Sequence, residues 1–252
     1  MSVFQLEKDI EQVRFVLEKR GLDHVVRAGV LLNLDVSGSM KGLYQEGIVQ
    51  KVVDRILPLG LACDNDGEIN VWGFADGVAK ACSVERENYL GYVEWEMMEE
   101  DGELEPILWG GTQYAPVIRE NLKHFGLLTR TGGFLGFGRR EVLVEESSLD
   151  LLILAYFITD GENTDQDAAQ ALFEQIAQAE SQIHYVLIGV GNAPFRFLKD
   201  AAARFPNVGF LSVPNLVQFV SDDTIFERLL PKELCAWLDH GHEGEEGDDH
   251  HD

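Results

Sequence analysis

Residues 31–40, LLNLDVSGSM, set the question on which the reading of this chain turns. An apolar run ends in Asp35, and two serines, Ser37 and Ser39, follow at alternate positions. A near-continuous aliphatic run is the pattern of a strand buried on both faces, so the polar residues sit where the chain turns over the strand's end. One reading is a strand-to-helix turn in which Ser39 caps the helix. The other gathers a carboxylate and two hydroxyls around a cation. As the chain leaves the strand, residues two apart turn toward one point, and Gly38 lets the backbone approach with no side chain in the way.

The neighbouring segments place this turn in a fold. Leu6, Ile10, Val13 and Leu17 recur at helical spacing, which predicts an amphipathic N-terminal helix ending near Gly21, packed on the domain as residues 1–22. Strands are expected over residues 25–34, 68–75, 149–161, 183–191 and 208–213, with a further short strand over 77–84 after a tight turn. Helices are expected over 43–61, bent at Pro58, over 88–98, from Ala115-Pro116 onward, and over 167–180. Strands alternating with helices imply an α/β fold, a mostly parallel sheet covered on both faces. Such sheets bind ligands at the carboxyl ends of their strands. Asp35 and Asp160 both fall there, and the pair Gly110-Gly111 before Thr112 can bring a third loop to the same edge. The domain is taken as residues 23–238. Within it, residues 126–150, with Arg130, Arg139 and Arg140, break the rhythm and read as an inserted flap or hairpin. Residues 239–252 read as a disordered acidic and histidine-rich tail.

Charge narrows the partners. The chain of 252 residues carries a formal net charge of −24, of which seven acidic residues lie in 239–252, so −17 remains on the rest. A surface this acidic repels phosphate backbones and anionic lipid, which argues against nucleic acid or membrane as partner and suits cations and basic groups. No apolar run reaches the ~18 residues of a membrane-spanning helix, and the N-terminus lacks a secretory apolar block. A cytoplasmic protein is expected. Cys63, Cys82 and Cys235 are odd in number and widely spaced, so neither a disulfide framework nor a zinc knuckle is indicated.

Asp35, Ser37 and Ser39 from the first loop, Thr112 from "GGTQY" and Asp160 from "FITDGENTD" together offer two carboxylates and three hydroxyls. Hard divalent cations prefer oxygen donors, and Mg2+ takes about six, several of them waters. Mg2+ is therefore the expected ion, with Mn2+ and Ca2+ as alternatives. Neutral hydroxyls leave much of the metal's charge uncancelled, so it can accept a carboxylate from another molecule.

On these residues the chain resembles the von Willebrand factor A (VWA) domains with their metal-ion-dependent adhesion site. Asp35, Ser37 and Ser39 match the family's first motif, Thr112 its threonine loop and Asp160 its later aspartate. The resemblance implies a Rossmann-like sheet with one antiparallel edge strand, which residues 77–84 would supply. Within that family, "LLNLDVSGSMKGLYQEGIVQ", "CDNDGEINVWGF" and "GGTQYAPVI" look most like the VWA domains linked to bacterial tellurium resistance, the TerF-like group. TerF-like chains often carry a second, TerD-type domain, for which 252 residues leave no room. Partner functions are therefore expected from other polypeptides, including other tellurium-resistance proteins.

Competing motifs fail on spacing. In "CDNDGE", Gly67 arrives too early for a calcium loop and the closing glutamate is missing. "IGVGNAPF" lacks the third glycine of a dinucleotide fingerprint, and "GGFLGFGRR" lacks the G-K-[ST] of a phosphate loop. Three functions remain. The first is a non-catalytic, metal-dependent interaction module that binds a partner's Asp or Glu. The second is a Mg2+-dependent phosphohydrolase, against which stands Ser37 where haloacid dehalogenase-type phosphatases need a second acid. The third is a VWA partner of an AAA-type ATPase.

Overall fold

The computed structural model describes residues 2–22, 27–63, 67–99, 101–131, 140–144 and 151–243. Its centre is a six-stranded sheet. The strands are β1 (Ala28–Asp35), β2 (Ile69–Phe74), β3 (Val78–Lys80), β6 (Leu152–Thr159), β7 (Ile183–Val190) and β8 (Val208–Val213), in the order β3-β2-β1-β6-β7-β8. All neighbours run parallel except β3, which pairs antiparallel with β2 at the edge. That edge strand is three residues long where eight were expected. Beyond it only an isolated bridge between Ile69 and Val84 continues the pairing. β4 (Leu128–Thr131) and β5 (Arg140–Leu143) form a separate antiparallel pair inside the segment read as an insertion; Arg139 lies outside the described residues.

Every residue of β1, β6 and β7 is buried. Their side chains divide between two apolar layers. One holds Val30, Leu32 and Leu34 against α1 (Val3–Lys19) and α3 (Ile48–Cys63). The other holds Leu31, Ile153 and Phe157 against α4 (Ala115–His124), α5 (Gln166–Gln178) and α6 (Arg196–Arg204). Burying one such side chain contributes about 1.5–3 kcal/mol, so a run of them fixes the central strands. α1 docks through Leu6, Ile10, Val13 and Leu17, all buried. Among these sits a charge, Asp9, whose carboxylate accepts from Arg55 of α3 at 3.2 Å and from Gln5 at 2.6 Å.

Several local expectations are corrected. The helix expected over 43–61 is two: α2 (Lys41–Gln45) and α3, separated at Gly47, whose φ of +67° turns the chain as glycine allows. α3 then continues through Pro58. Residues 88–98 hold only a π-helix, Val93–Met97, rather than a full α-helix. The chain after β8 builds α7 (Leu216–Ser221), α8 (Ile225–Leu229) and α9 (Lys232–Glu243). α9 therefore carries Asp239–Glu243, which were expected in the tail. Leu234, Cys235 and Leu238 are buried along it and seat the helix. The remainder of the expected tail, 244–252, lies outside the described residues. No helix among the described residues is long and apolar enough to cross a membrane.

Candidate metal centre

β1 and β6 end level with each other. Leu34 pairs with Ile158, so the next residues along, Asp35 and Thr159, stand side by side and Asp160 follows at the rim. Asp35 is fully buried. One carboxylate oxygen accepts the backbone N–H of Ser37 at 2.8 Å, and the other accepts the Thr159 hydroxyl at 2.6 Å. The Ser37 and Ser39 hydroxyls lie 3.2 Å apart, and Ser39 donates to Asp160 Oδ1 at 2.8 Å. The alternation of D-x-S-x-S thus does what its spacing suggested: four of the five expected residues form one chain of contacts. Ser39 is the middle of the 3-10 turn Gly38–Met40, whose N-cap is Ser37, and no side-chain capping bond forms there. The capping reading of Ser39 therefore has no hydrogen bond behind it.

Thr112 arrives on the third loop. Its carbonyl accepts the Thr164 N–H at 3.0 Å, and its hydroxyl lies 4.0 Å from where a Cβ on Gly161 would stand. It therefore flanks Asp160, with no hydrogen bond to the other four. Asp165 fixes this loop by accepting the backbone N–H groups of Tyr114 and Ala115 at 2.9 and 2.8 Å. A carboxylate there also complements the positive N-terminus of α4. Tyr114 closes the link by donating to the Gly161 carbonyl at 2.7 Å. The same loop is also tied to the first: Trp109 donates its N–H to the Val36 carbonyl at 2.8 Å, and the Gly38 N–H donates to the Gly110 carbonyl at 3.2 Å.

Sequence reasoning did not single out Thr159, Tyr114, Asp165 or Tyr44, the last donating to the Asp35 carbonyl at 3.1 Å. Thr159 alone had a signal, a hydroxyl one residue before Asp160 at the strand end. The others act through loop shape, which spacing does not encode.

Burial pushes the Asp35 carboxyl up to about 6, against the hydrogen bonds from Ser37 and Thr159 that pull it down; the charge of Asp160 adds a small upward push. Burial likewise drives the Tyr44 hydroxyl far above its usual range, which keeps it a donor. Among the described residues no cation pairs with Asp35, and no cluster of three or more His, Cys, Asp or Glu forms. The donor set is two carboxylates with hydroxyls between them. A small hard cation fits it: all donors are oxygen, and a buried carboxylate that lacks an opposite charge is stabilised by one.

A mostly parallel sheet with one antiparallel edge strand, helices on both faces and polar loops at its carboxyl edge is a VWA architecture. Within that class the chain belongs to the vWA-TerF-like family, described as the vWA found in the TerF C terminus, which it matches over residues 27–245. It is 30% identical over 244 residues to the uncharacterized protein YcbR of Bacillus subtilis (strain 168), covering 94% of this chain and 87% of that one. Among solved structures it is similar to proximal thread matrix protein 1 from the mussel byssus, with a TM-score of 0.51 at 16% identity, covering 83% of this chain and 48% of that one. Manganese-loaded TRAP protein of Plasmodium vivax gives a TM-score of 0.48 at 14% identity, covering 83% of this chain and 74% of that one. The chain thus spans about half the length of the mussel protein.

Proposed function

We propose that this protein is a metal-dependent interaction module that performs no chemistry of its own. Asp35, Ser37, Ser39, Thr112 and Asp160 would hold one divalent cation, Mg2+ foremost and Mn2+ or Ca2+ as substitutes, directly or through water. A partner's Asp or Glu completes the coordination. The observation that carries this reading is the buried Asp35 carboxylate, contacted by Ser37 and Thr159 while Ser39 reaches Asp160, with no positive side chain among the described residues paired to it. The cation supplies that positive charge and keeps enough of it to attract a second molecule's carboxylate. Membership of the TerF-like family supports a cytoplasmic setting in bacterial tellurium or stress resistance, with other resistance proteins as partners.

Calorimetric titration of metal-free protein with Mg2+, Mn2+ and Ca2+ tests this directly. Saturable one-site binding that disappears in Asp35→Ala is the expected result. Heat that is identical in the variant would mean the loop is purely structural.

A further inference from the structure

The edge of the sheet opposite the candidate metal centre carries a second set of polar groups. A pocket of about 460 Å3 opens there, where β6, β7 and β8 begin. That volume falls in the range of small-molecule sites. Leu152, Ile176, Pro206 and Trp237 give it apolar walls. Ser181, Gln182 and Asn207 line it from the segments that lead into β7 and β8. Ser181 and Asn207 are buried, with 7% and 6% of their surface exposed.

The backbone of these segments finds partners. Ser181 donates its N–H to the Ile176 carbonyl at 3.2 Å, the Gln182 carbonyl accepts from Ile153 at 2.8 Å, and the Asn207 carbonyl accepts from Tyr185 at 2.9 Å. The side chains do not. Nine buried side-chain polar atoms lack a partner among the described residues, and four of them gather here. They are Ser181 Oγ, Gln182 Oε1, Asn207 Oδ1 and His184 Nδ1, the last on a ring centred 5.3 Å from that of Trp237. Asn207 cannot exchange its oxygen for its nitrogen without loss, because the nitrogen already donates to the Ile183 carbonyl at 3.2 Å. A buried acceptor left unpaired is costly, so a cluster of them calls for a donor that the chain does not supply.

Charge and shape define that donor. Glu180 is the one charged residue of the lining among the described residues. It is exposed and takes the left-handed position after α5, at φ +47°, where glycine is usual. Trp237 adds an indole, on which planar cations stack. A guanidinium answers each feature: it is positive, flat, and carries five N–H donors in a fork that can reach oxygens on separate segments. An ammonium is a compact charge with three donors. We infer that this pocket binds a small molecule bearing a guanidinium group, held by the Ser181, Gln182 and Asn207 oxygens with Glu180 and Trp237 against its charge. The site stands apart from the metal reading and does not depend on it.

The test is an NMR titration of the full chain with methylguanidinium, methylammonium and tetramethylammonium, following the indole N–H signals, with Trp237→Phe to assign that of Trp237. Methylguanidinium should bind saturably and move the Trp237 signal. Methylammonium should bind more weakly, and tetramethylammonium, which has the charge but no N–H, should not bind. Glu180→Gln and Gln182→Leu should each weaken methylguanidinium binding by about tenfold. Glu11→Gln, which removes an exposed charge from α1, should leave it unchanged. Saturation by none of the three cations would assign the oxygens to water alone and overturn the site. Binding of either comparison cation as tight as that of methylguanidinium, or equal weakening by Glu11→Gln, would mean that the negative charge of the whole chain decides, and would overturn it as well. Binding unmoved by both pocket substitutions would place the cation elsewhere, with the same consequence.

Discussion

Asp9 and Asp35 are both almost wholly buried, and they are treated in opposite ways. Asp9, between α1 and α3, faces the guanidinium of Arg55 and an amide of Gln5. Asp35, at the end of β1, has only hydroxyls and a backbone N–H. A buried charge costs several kcal/mol unless it is compensated. Where the fold only needs a joint between helices, the compensating cation is part of the chain. On the function proposed above, at the carboxyl edge of the sheet it is supplied from outside. The contrast separates a structural carboxylate from one set up for binding.

Substitutions can break that contrast. The largest effect is expected on metal affinity: Asp35→Asn abolishes calorimetric Mg2+ binding, whereas Arg55→Met leaves it unchanged. On stability the order reverses. Arg55→Met leaves Asp9 buried without its cation and should cost about 3–5 kcal/mol, read as a lower melting temperature, while Asp35→Asn should raise the melting temperature of metal-free protein.

A pH series sharpens the comparison. The folded pKa of Asp35 is raised from the ordinary 3.8 to about 6. Its protonation therefore stabilises the metal-free fold fully below pH ~4, and this contribution, about 3 kcal/mol, is lost as pH rises through ~6. His184, pushed down by burial to about 4, works the other way, its contribution being lost as pH falls from ~6.5 toward ~4. The difference between wild type and Asp35→Asn isolates the aspartate; chemical denaturation at several pH values, with and without Mg2+, measures it. If the two proteins show the same pH dependence without metal, Asp35 is not the titrating group. The smallest effect belongs to Thr159→Val, which removes a donor to Asp35 without touching the remaining expected ligands. It should weaken Mg2+ binding by about 10–100-fold, and an unchanged titration would show that Thr159 does not orient the carboxylate.

The parts of the fold that alternate were legible in the sequence, because β1, β6 and β7 are buried on both faces and read as unbroken apolar runs. That Asp35, Ser37, Ser39 and Asp160 meet at one edge was legible because strand ends place them there; Thr112, on the loop after a glycine pair, flanks Asp160 without bonding to the other four. What escaped lies where the backbone departs from regular periods. Gly47 splits one expected helix in two, and the π-helix at Val93–Met97 has no three-or-four-residue repeat to announce it. α7 and α8 are too short to show a period, and α9 was masked by the acidic residues that follow Leu238. Thr159 and Asp165 act on atoms 124 and 50 residues away, a relation no local pattern contains.

The docking of α1 also has a consequence for the order in which the chain is completed during synthesis. Asp9 finds Arg55 only 46 residues later, so the helix has a first surface to rest on early. Its other contacts wait: Gln12 donates to the Asp223 carbonyl and Lys19 meets Glu227, partners 211 and 208 residues downstream. Closing a loop of that length carries an entropic cost that grows slowly with length, but the partner must first exist. Until α8 has emerged and β8 has joined the sheet, α1 is held on one side alone. The earliest helix of the described chain thus reaches its full set of contacts among the last.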